Sequence, residues 1–208
     1  MLLFGAGAAG CGGDDPIDPR AAVLEVLLDG CGRGVEDRAT ATAIGDGLAL
    51  TVAHSFDDAR AVALRAVDGD EVAAELVFID RDRDIALLRF DEAPGASPQP
   101  TLIVRSDADD PTDEARIVVH RDGANVIETV LVVQRTAVTL DGEGRRDGIE
   151  LSAVIEPGDS GAPLLGDDEH IIGMVFASSR TSDTGWAIAA SELETIADNA
   201  GEPIVLSC

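Results

Sequence analysis

The sequence predicts an all-β fold: two packed six-stranded antiparallel β-barrels with a short C-terminal helix. Three observations carry this. Short apolar segments bounded by Gly and Asp recur from Ala22 almost to the end. One proline-rich break, Ala93 to Pro100, divides them into two halves. Only Ser191 to Asn199 has helical character, opening on the capping box Ser191-Glu192-Leu193-Glu194. The chain has 208 residues, 45 % of them hydrophobic, enough to bury the core of one large domain or of two halves sharing an interface. Disorder is excluded on the same ground. With 40 acidic and 15 basic residues the net charge is −25, which excludes nucleic acid and anionic lipid as principal partners. Every basic residue is Arg. A GC-rich genome and a saline habitat both account for that bias.

The elements follow in chain order. Residues 1–20 read as a leader and tether. Met1 to Gly10 is short, apolar and rich in small residues, Cys11 follows, and then comes polar, proline-containing sequence. This resembles the end of a bacterial lipoprotein signal, with Ala8-Ala9-Gly10 before a lipid-bearing Cys11, although no positive segment precedes it. A cleaved signal peptide is the alternative, and either exports the chain. Barrel one is expected at about 21–92. Thr40 to Ile44, the turn at 45–47 and Leu48 to Ala53 form one hairpin. Val62 to Ala66, the turn at 68–70 and Val72 to Ile79 form a second, and Ile85 to Phe90 is a compact strand. After the linker at 93–101, barrel two at about 102–190 draws on Ile117 to His120, Val126 to Val133, Ile149 to Val154, Pro163 to Leu165, Ile171 to Phe176 and Gly185 to Ile188. The helix at about 191–199 closes the domain.

Three segments carry chemistry. Thr51-Val52-Ala53-His54-Ser55 places a histidine at a strand end, Asp84-Ile85-Ala86-Leu87-Leu88 brings an acid into an apolar strand, and Glu156 to Leu164 contains Gly158-Asp159-Ser160-Gly161. Singly, each is an ordinary strand end, turn or loop. Their conjunction and order matter. A serine hydroxyl attacks an acyl carbon only if a base takes its proton, imidazole does so at neutral pH, and a carboxylate fixes the imidazole tautomer. His54, Asp84 and Ser160 supply these roles in an order that neither subtilisin-like nor hydrolase-fold chains use. Gly158 allows its own N–H and that of Ser160 to converge on one point, as an oxyanion hole requires. Asp80 and Asp82 compete with Asp84, which is preferred because Ile85-Ala86-Leu87-Leu88 anchors it to a buried strand.

These motifs resemble a trypsin-like (chymotrypsin-fold) serine protease of the bacterial branch related to the high-temperature-requirement proteases. T-V-A-H resembles that family's T-A-A-H, D-I-A-L its D-I-A-L, and G-D-S-G-A-P-L its G-D-S-G-G-P-L, within a resemblance spanning roughly Ala22 to Gly201. It implies an exported endopeptidase acting on polypeptides through an acyl-enzyme, without metal or cofactor. A catalytically silent binding module at the cell surface is the alternative. No PDZ-like domain is expected after Cys208, so peptide-gated oligomeric control is not, and a monomer is. No R-I-V-G-G-like activation site precedes barrel one, so Asp159 is expected to find a partner other than a freed N-terminus. The family pattern places the base of the specificity pocket at Val154, one wall at Phe176, Ala177 and Ser178, and the other at Gly185 to Ala187, giving an apolar pocket of modest size with Trp186 in the core.

In an exported chain, Cys31 and Cys208 form the expected disulfide. Membrane attachment, if any, runs through lipid on Cys11. The acidic stretches Asp107 to Asp110 and Asp113-Glu114 lack the spacing of a calcium loop. His120 and His170 read as structural or exposed.

Overall fold

The computed structural model describes residues 18–31, 38–91, 99–106, 113–121, 123–139, 144–179 and 182–208. The leader with Cys11, most of the 93–101 linker and the acidic stretch at 107–110 lie outside them.

Twelve strands form two closed antiparallel barrels. The first holds β1 (Val23–Gly30), β2 (Arg38–Gly45), β3 (Leu48–Thr51), β4 (Ala59–Arg65), β5 (Glu71–Asp80) and β6 (Ile85–Phe90), in the order β1-β2-β3-β6-β5-β4. The second holds β7 (Glu114–Arg121), β8 (Ala124–Val138), β9 (Arg146–Ser152), β10 (Pro163–Leu165), β11 (Ile171–Ser178) and β12 (Thr184–Ala189), and repeats that order as β7-β8-β9-β12-β11-β10. The sequence reading names eleven of these strands and omits β1. Val23-Leu24-Glu25-Val26-Leu27-Leu28 has no clean period-two alternation. The cause is that β1 serves two surfaces. Leu24, Val26 and Leu28 fill barrel one, while Val23 packs across toward barrel two with Leu165 and Ile171.

Between the barrels lies a second core. Leu50, Val52, Ile85 and Leu87 from the first half meet Met174, Phe176, Ile188 and Leu193 from the second. Thus one face of each central strand fills its own barrel and the other face fills the interface.

The C-terminal segment is helical as expected, but it consists of two 3-10 turns, Ala190–Glu192 and Ile196–Asn199. The capping box does not form. Ala189 occupies the N-cap without a side-chain bond, and Ser191 Oγ instead meets Asp147 Oδ2 at 3.5 Å. Burial explains it: Ala190, Leu193 and Ile196 all point inward, and a spacing of three matches about three residues per turn rather than 3.6.

The tail continues along barrel one. Gly201 N–H donates to Val77 O (3.0 Å) and Ile204 N–H to Leu76 O (2.7 Å). It ends in the expected disulfide, Cys31–Cys208, with a Cα–Cα distance of 5.3 Å across 177 residues of sequence.

Candidate active site

His54 opens a short 3-10 turn, His54–Phe56, where β3 leaves barrel one. Asp84 ends the turn that joins β5 to β6. The two meet twice. His54 N–H donates to Asp84 Oδ1 at 2.8 Å, and His54 Nδ1 lies 2.8 Å from Asp84 Oδ2. Asp84 is only 4 % exposed. A carboxylate accepts, so the proton sits on Nδ1 and the lone pair on Nε2. The neighbouring acids have other tasks or places. Asp80 Oδ1 takes Arg83 N–H and Asp80 Oδ2 takes Arg83 Nε, organising the turn. Burial works to raise the Asp80 pKa, but these bonds outweigh it and hold the carboxyl below its ordinary value. Asp82 turns its backbone toward Gly144.

Ser160 sits in the turn before β10, docked onto barrel one through its neighbours. Thr40 N–H donates to Ser160 O (2.8 Å), Thr40 Oγ1 to Gly158 O (2.8 Å), and Thr51 Oγ1 to Thr40 O (2.7 Å). Gly161, at φ +92°, packs so closely here that a Cβ would lie 1.8 Å from Thr40 O. The Gly158–Gly161 loop is therefore pressed against Thr51, three residues before His54. Gly158 has φ +103°, and no described acceptor takes its N–H or that of Ser160.

Asp159 points the other way and is buried. Its Oδ2 accepts from Arg121 Nη2 at 2.7 Å and from Glu156 N–H at 2.8 Å. Arg121 is thus the cation that partners Asp159. Desolvation still pushes the Asp159 pKa above its ordinary value, against the pull of the Glu156 N–H and Arg121.

Two clefts flank the loop. One, of about 270 Å³, is lined by Ala153, Val154, Ile155, Ser178 and the segment 182–184. Val154 is 58 % exposed at its edge. Of the anticipated pocket residues, Val154 and Ser178 line this cleft. Phe176 and Ala187 lie in the interface and barrel cores, Ala177 packs beside the interface core, and Gly185 is covered by Ile155, 2.5 Å from where a Cβ would stand. Ser178, Ser182, Asp183 and Thr184 give this cleft a polar wall. Trp186 packs at the interface core, as expected.

The second cleft, of about 430 Å³, lies beyond Gly158 and reaches Glu25 and His120. Glu25 is 2 % exposed and meets Arg65 (2.6 Å), Arg38 (3.2 Å) and His120 Nε2 (3.7 Å). His120 Nδ1 lies 2.8 Å from Asn125 Oδ1. Glu25, Arg121 and Thr40 are absent from the candidates read from sequence, and Thr51 enters only as the first residue of T-V-A-H. Only Glu25 left a signal, as a lone acid inside an apolar run. Among the described residues no His, Cys, Asp and Glu cluster could hold a metal ion, and no helix is long and apolar enough to cross a membrane.

Comparison with known proteins fits this geometry. Residues 39–174 match the family model described as a trypsin-like peptidase domain. Protease Do-like 2, chloroplastic, from Arabidopsis thaliana is 33 % identical over 153 residues, 68 % of this chain and 24 % of that protein. Serine protease Do-like HtrA from Bacillus subtilis is 28 % identical over 167 residues, 74 % of this chain and 36 % of that one. The chain thus spans about a quarter to a third of the length of these relatives. Among solved structures, the active form of the Rv3671c protease from M. tuberculosis superposes with a TM-score of 0.78 at 20 % identity, covering 91 % of this chain and 87 % of that one, a likeness of fold.

Proposed function

The chain belongs to the family of trypsin-like peptidase domains, and from that premise we propose that it is an exported serine endopeptidase that cleaves polypeptides through an acyl-enzyme. The observation that carries this is the doubly hydrogen-bonded His54–Asp84 pair together with a G-D-S-G loop docked on Thr40 and on Thr51, three residues before His54. In this reading His54 Nε2 takes the Ser160 Oγ proton as Oγ bonds to the scissile carbonyl carbon. The carbonyl oxygen becomes an oxyanion between the N–H groups of Gly158 and Ser160, each donor worth about 3–4 kcal/mol in the transition state. The tetrahedral intermediate then expels the amine, which takes the proton from His54. Water, deprotonated in turn by His54, releases the acid and regenerates Ser160. Asp84 stays ionised throughout and stabilises the imidazolium. The acyl-side residue of the substrate enters the cleft at Val154 and Ser178, whose volume limits it to a side chain of modest size.

The Cys31–Cys208 bridge supports an oxidising compartment. Attachment there runs through lipid on Cys11, since a surface at −25 is repelled by anionic headgroups. The domain works as a monomer.

A fluorophosphonate probe tests the reading. It should add covalent mass at Ser160, and Ser160→Ala and His54→Ala should each lose on the order of 10⁴–10⁶ in kcat on a peptide substrate. An unlabelled, inert wild-type protein establishes the silent binding module instead. Cys11→Ser should release the protein from the membrane fraction, and retention refutes the anchor alone.

A further inference from the structure

We infer that Arg146, the first residue of β9 in barrel two, is a positioning residue for Asp84 in barrel one: its guanidinium fixes the peptide plane from which the Asp84 carboxylate is aimed at His54. The inference rests on the reading of His54 and Asp84 as base and orienting acid.

Both hydrogen bonds on the Asp84 carboxylate come from His54. Among the described residues no third donor holds it, so its direction is set by its own backbone. That backbone is unusual. Asp84 has φ +59°, in the left-handed region, which is strained for an L-residue and persists only where the surroundings enforce it. The φ torsion has two ends. Beyond Cα the chain enters β6, fixed by the pairing of Ile85 with Asp80 and of Ala86 with Thr51. Before it stands the Arg83–Asp84 peptide, whose carbonyl oxygen accepts a hydrogen bond from Arg146 Nη1 at 2.8 Å. With the peptide plane held by barrel two and the strand by barrel one, the torsion between them has no freedom to relax toward negative φ.

The placement of Arg146 fits this task. It is 1 % exposed, with its guanidinium over the Phe176 ring at 4.9 Å to the centroid. Burying a guanidinium is costly, and an apolar residue of similar volume commonly packs as well or better. What an apolar residue cannot supply is the directed donor. The approach also depends on Gly144, where a Cβ would lie 2.9 Å from Asp82 O. A side chain there would push the start of β9 away from the 81–84 turn.

The experiment uses Arg146→Lys and Arg146→Met in the full chain, with circular dichroism melts as a folding control. A peptide substrate gives kcat and KM, and the downfield proton resonance of His54 Nδ1–H reports the His54–Asp84 bond. Arg146→Met should lower kcat about 100-fold with KM unchanged, a misplacement effect, and should displace the resonance. Arg146→Lys, which keeps a cation but not the planar fork, should recover part of the rate, remaining about tenfold down. In an Asp84→Asn background, Arg146→Met should cost little more. Wild-type kcat in folded Arg146→Met overturns the inference, and so does an equal loss in both backgrounds. If the methionine variant does not fold, wild-type kcat and an unmoved resonance in Arg146→Lys overturn it. Wild-type turnover in Asp84→Asn alone would instead overturn the reading on which it rests.

Discussion

Gly161→Ala should be among the most damaging small substitutions in the chain, and its magnitude can be worked from the contacts. An alanine Cβ at 161 would lie 1.8 Å from Thr40 O, 2.9 Å from Thr40 C and 2.8 Å from Thr51 Oγ1. The first two are backbone atoms, so no side chain can rotate aside, and the loop must retreat by more than about 1 Å to reach ordinary contact. Retreat breaks the Thr40 N–H to Ser160 O and Thr40 Oγ1 to Gly158 O bonds, at about 1 kcal/mol each. The left-handed φ of +92° adds about 1–2 kcal/mol for any L-residue. The expected loss is about 3–5 kcal/mol. Gly158→Ala is the matched control. Its φ of +103° carries similar strain, but no atom lies within 4 Å of its Cβ, so about 1–2 kcal/mol is expected. For a domain of this size the difference corresponds to about 4–12 °C in Tm. Thermal melts followed by circular dichroism measure it, with the fluorophosphonate labelling rate in parallel, since only Gly161→Ala should unseat the carbonyl of Ser160. Two variants melting within about 2 °C of each other would refute the reasoning.

Three further outcomes are expected. Cys208→Ser should cost about 5 kcal/mol in urea unfolding, because the bridge closes 177 residues of sequence; a change below about 1 kcal/mol counts against it. Arg121→Met should cost about 3–5 kcal/mol at pH 7 by leaving Asp159 charged and buried. Burial already raises the Asp159 pKa, so the folded state binds its proton more tightly than the unfolded one, and stability from that proton is full below the ordinary carboxylate pKa and is lost as pH rises through the raised one. The variant should therefore recover stability on acidification across that window, and a deficit that stays constant in pH-dependent melts defeats the assignment. Added NaCl should raise Tm by screening a net charge of −25, whereas a Tm that falls with salt would show that ion pairs such as Arg65–Glu25 dominate instead.

Legibility in the sequence followed the range of the interactions. Strands β6 and β10 could be read to the residue, since each is a compact apolar run cut off by turn residues. Strand β8 was seen only as Val126 to Val133. It runs on to Val138 because β9 pairs with it through exposed polar residues such as Gln134 opposite Glu150, which leave no hydrophobic signal. That Asp84, rather than Asp80 or Asp82, meets His54 is readable because the anchoring apolar residues are its immediate neighbours. Arg121 and Arg146 were not. Their partners lie 38 and 63 residues away, and an arginine at a strand end looks the same whether it is solvated or buried. The capping box misled for a related reason. It is a local preference worth about 1 kcal/mol, and the burial of Ala190, Leu193 and Ile196 outweighed it.

The barrel boundary decides how the site holds together. His54 and Asp84 both belong to barrel one, and Ser160 with its glycines belongs to barrel two. Their relation therefore depends on contacts between the halves. The apolar interface core is extensive, but burial is non-directional, so it sets the separation of the barrels more firmly than their rotation. Directional contacts cross the same boundary at its rim: Thr40 to Gly158 and Ser160, Gly161 against Thr40 and Thr51, and Arg146 to Arg83. Each ends on, or one residue from, a group assigned to the chemistry. A hydrogen bond weakens steeply as its angle closes, so a rotation that the apolar core tolerates would break these bonds first. Register between His54 and Ser160 is thus set by a few polar contacts whose energies are small beside the cores that surround them.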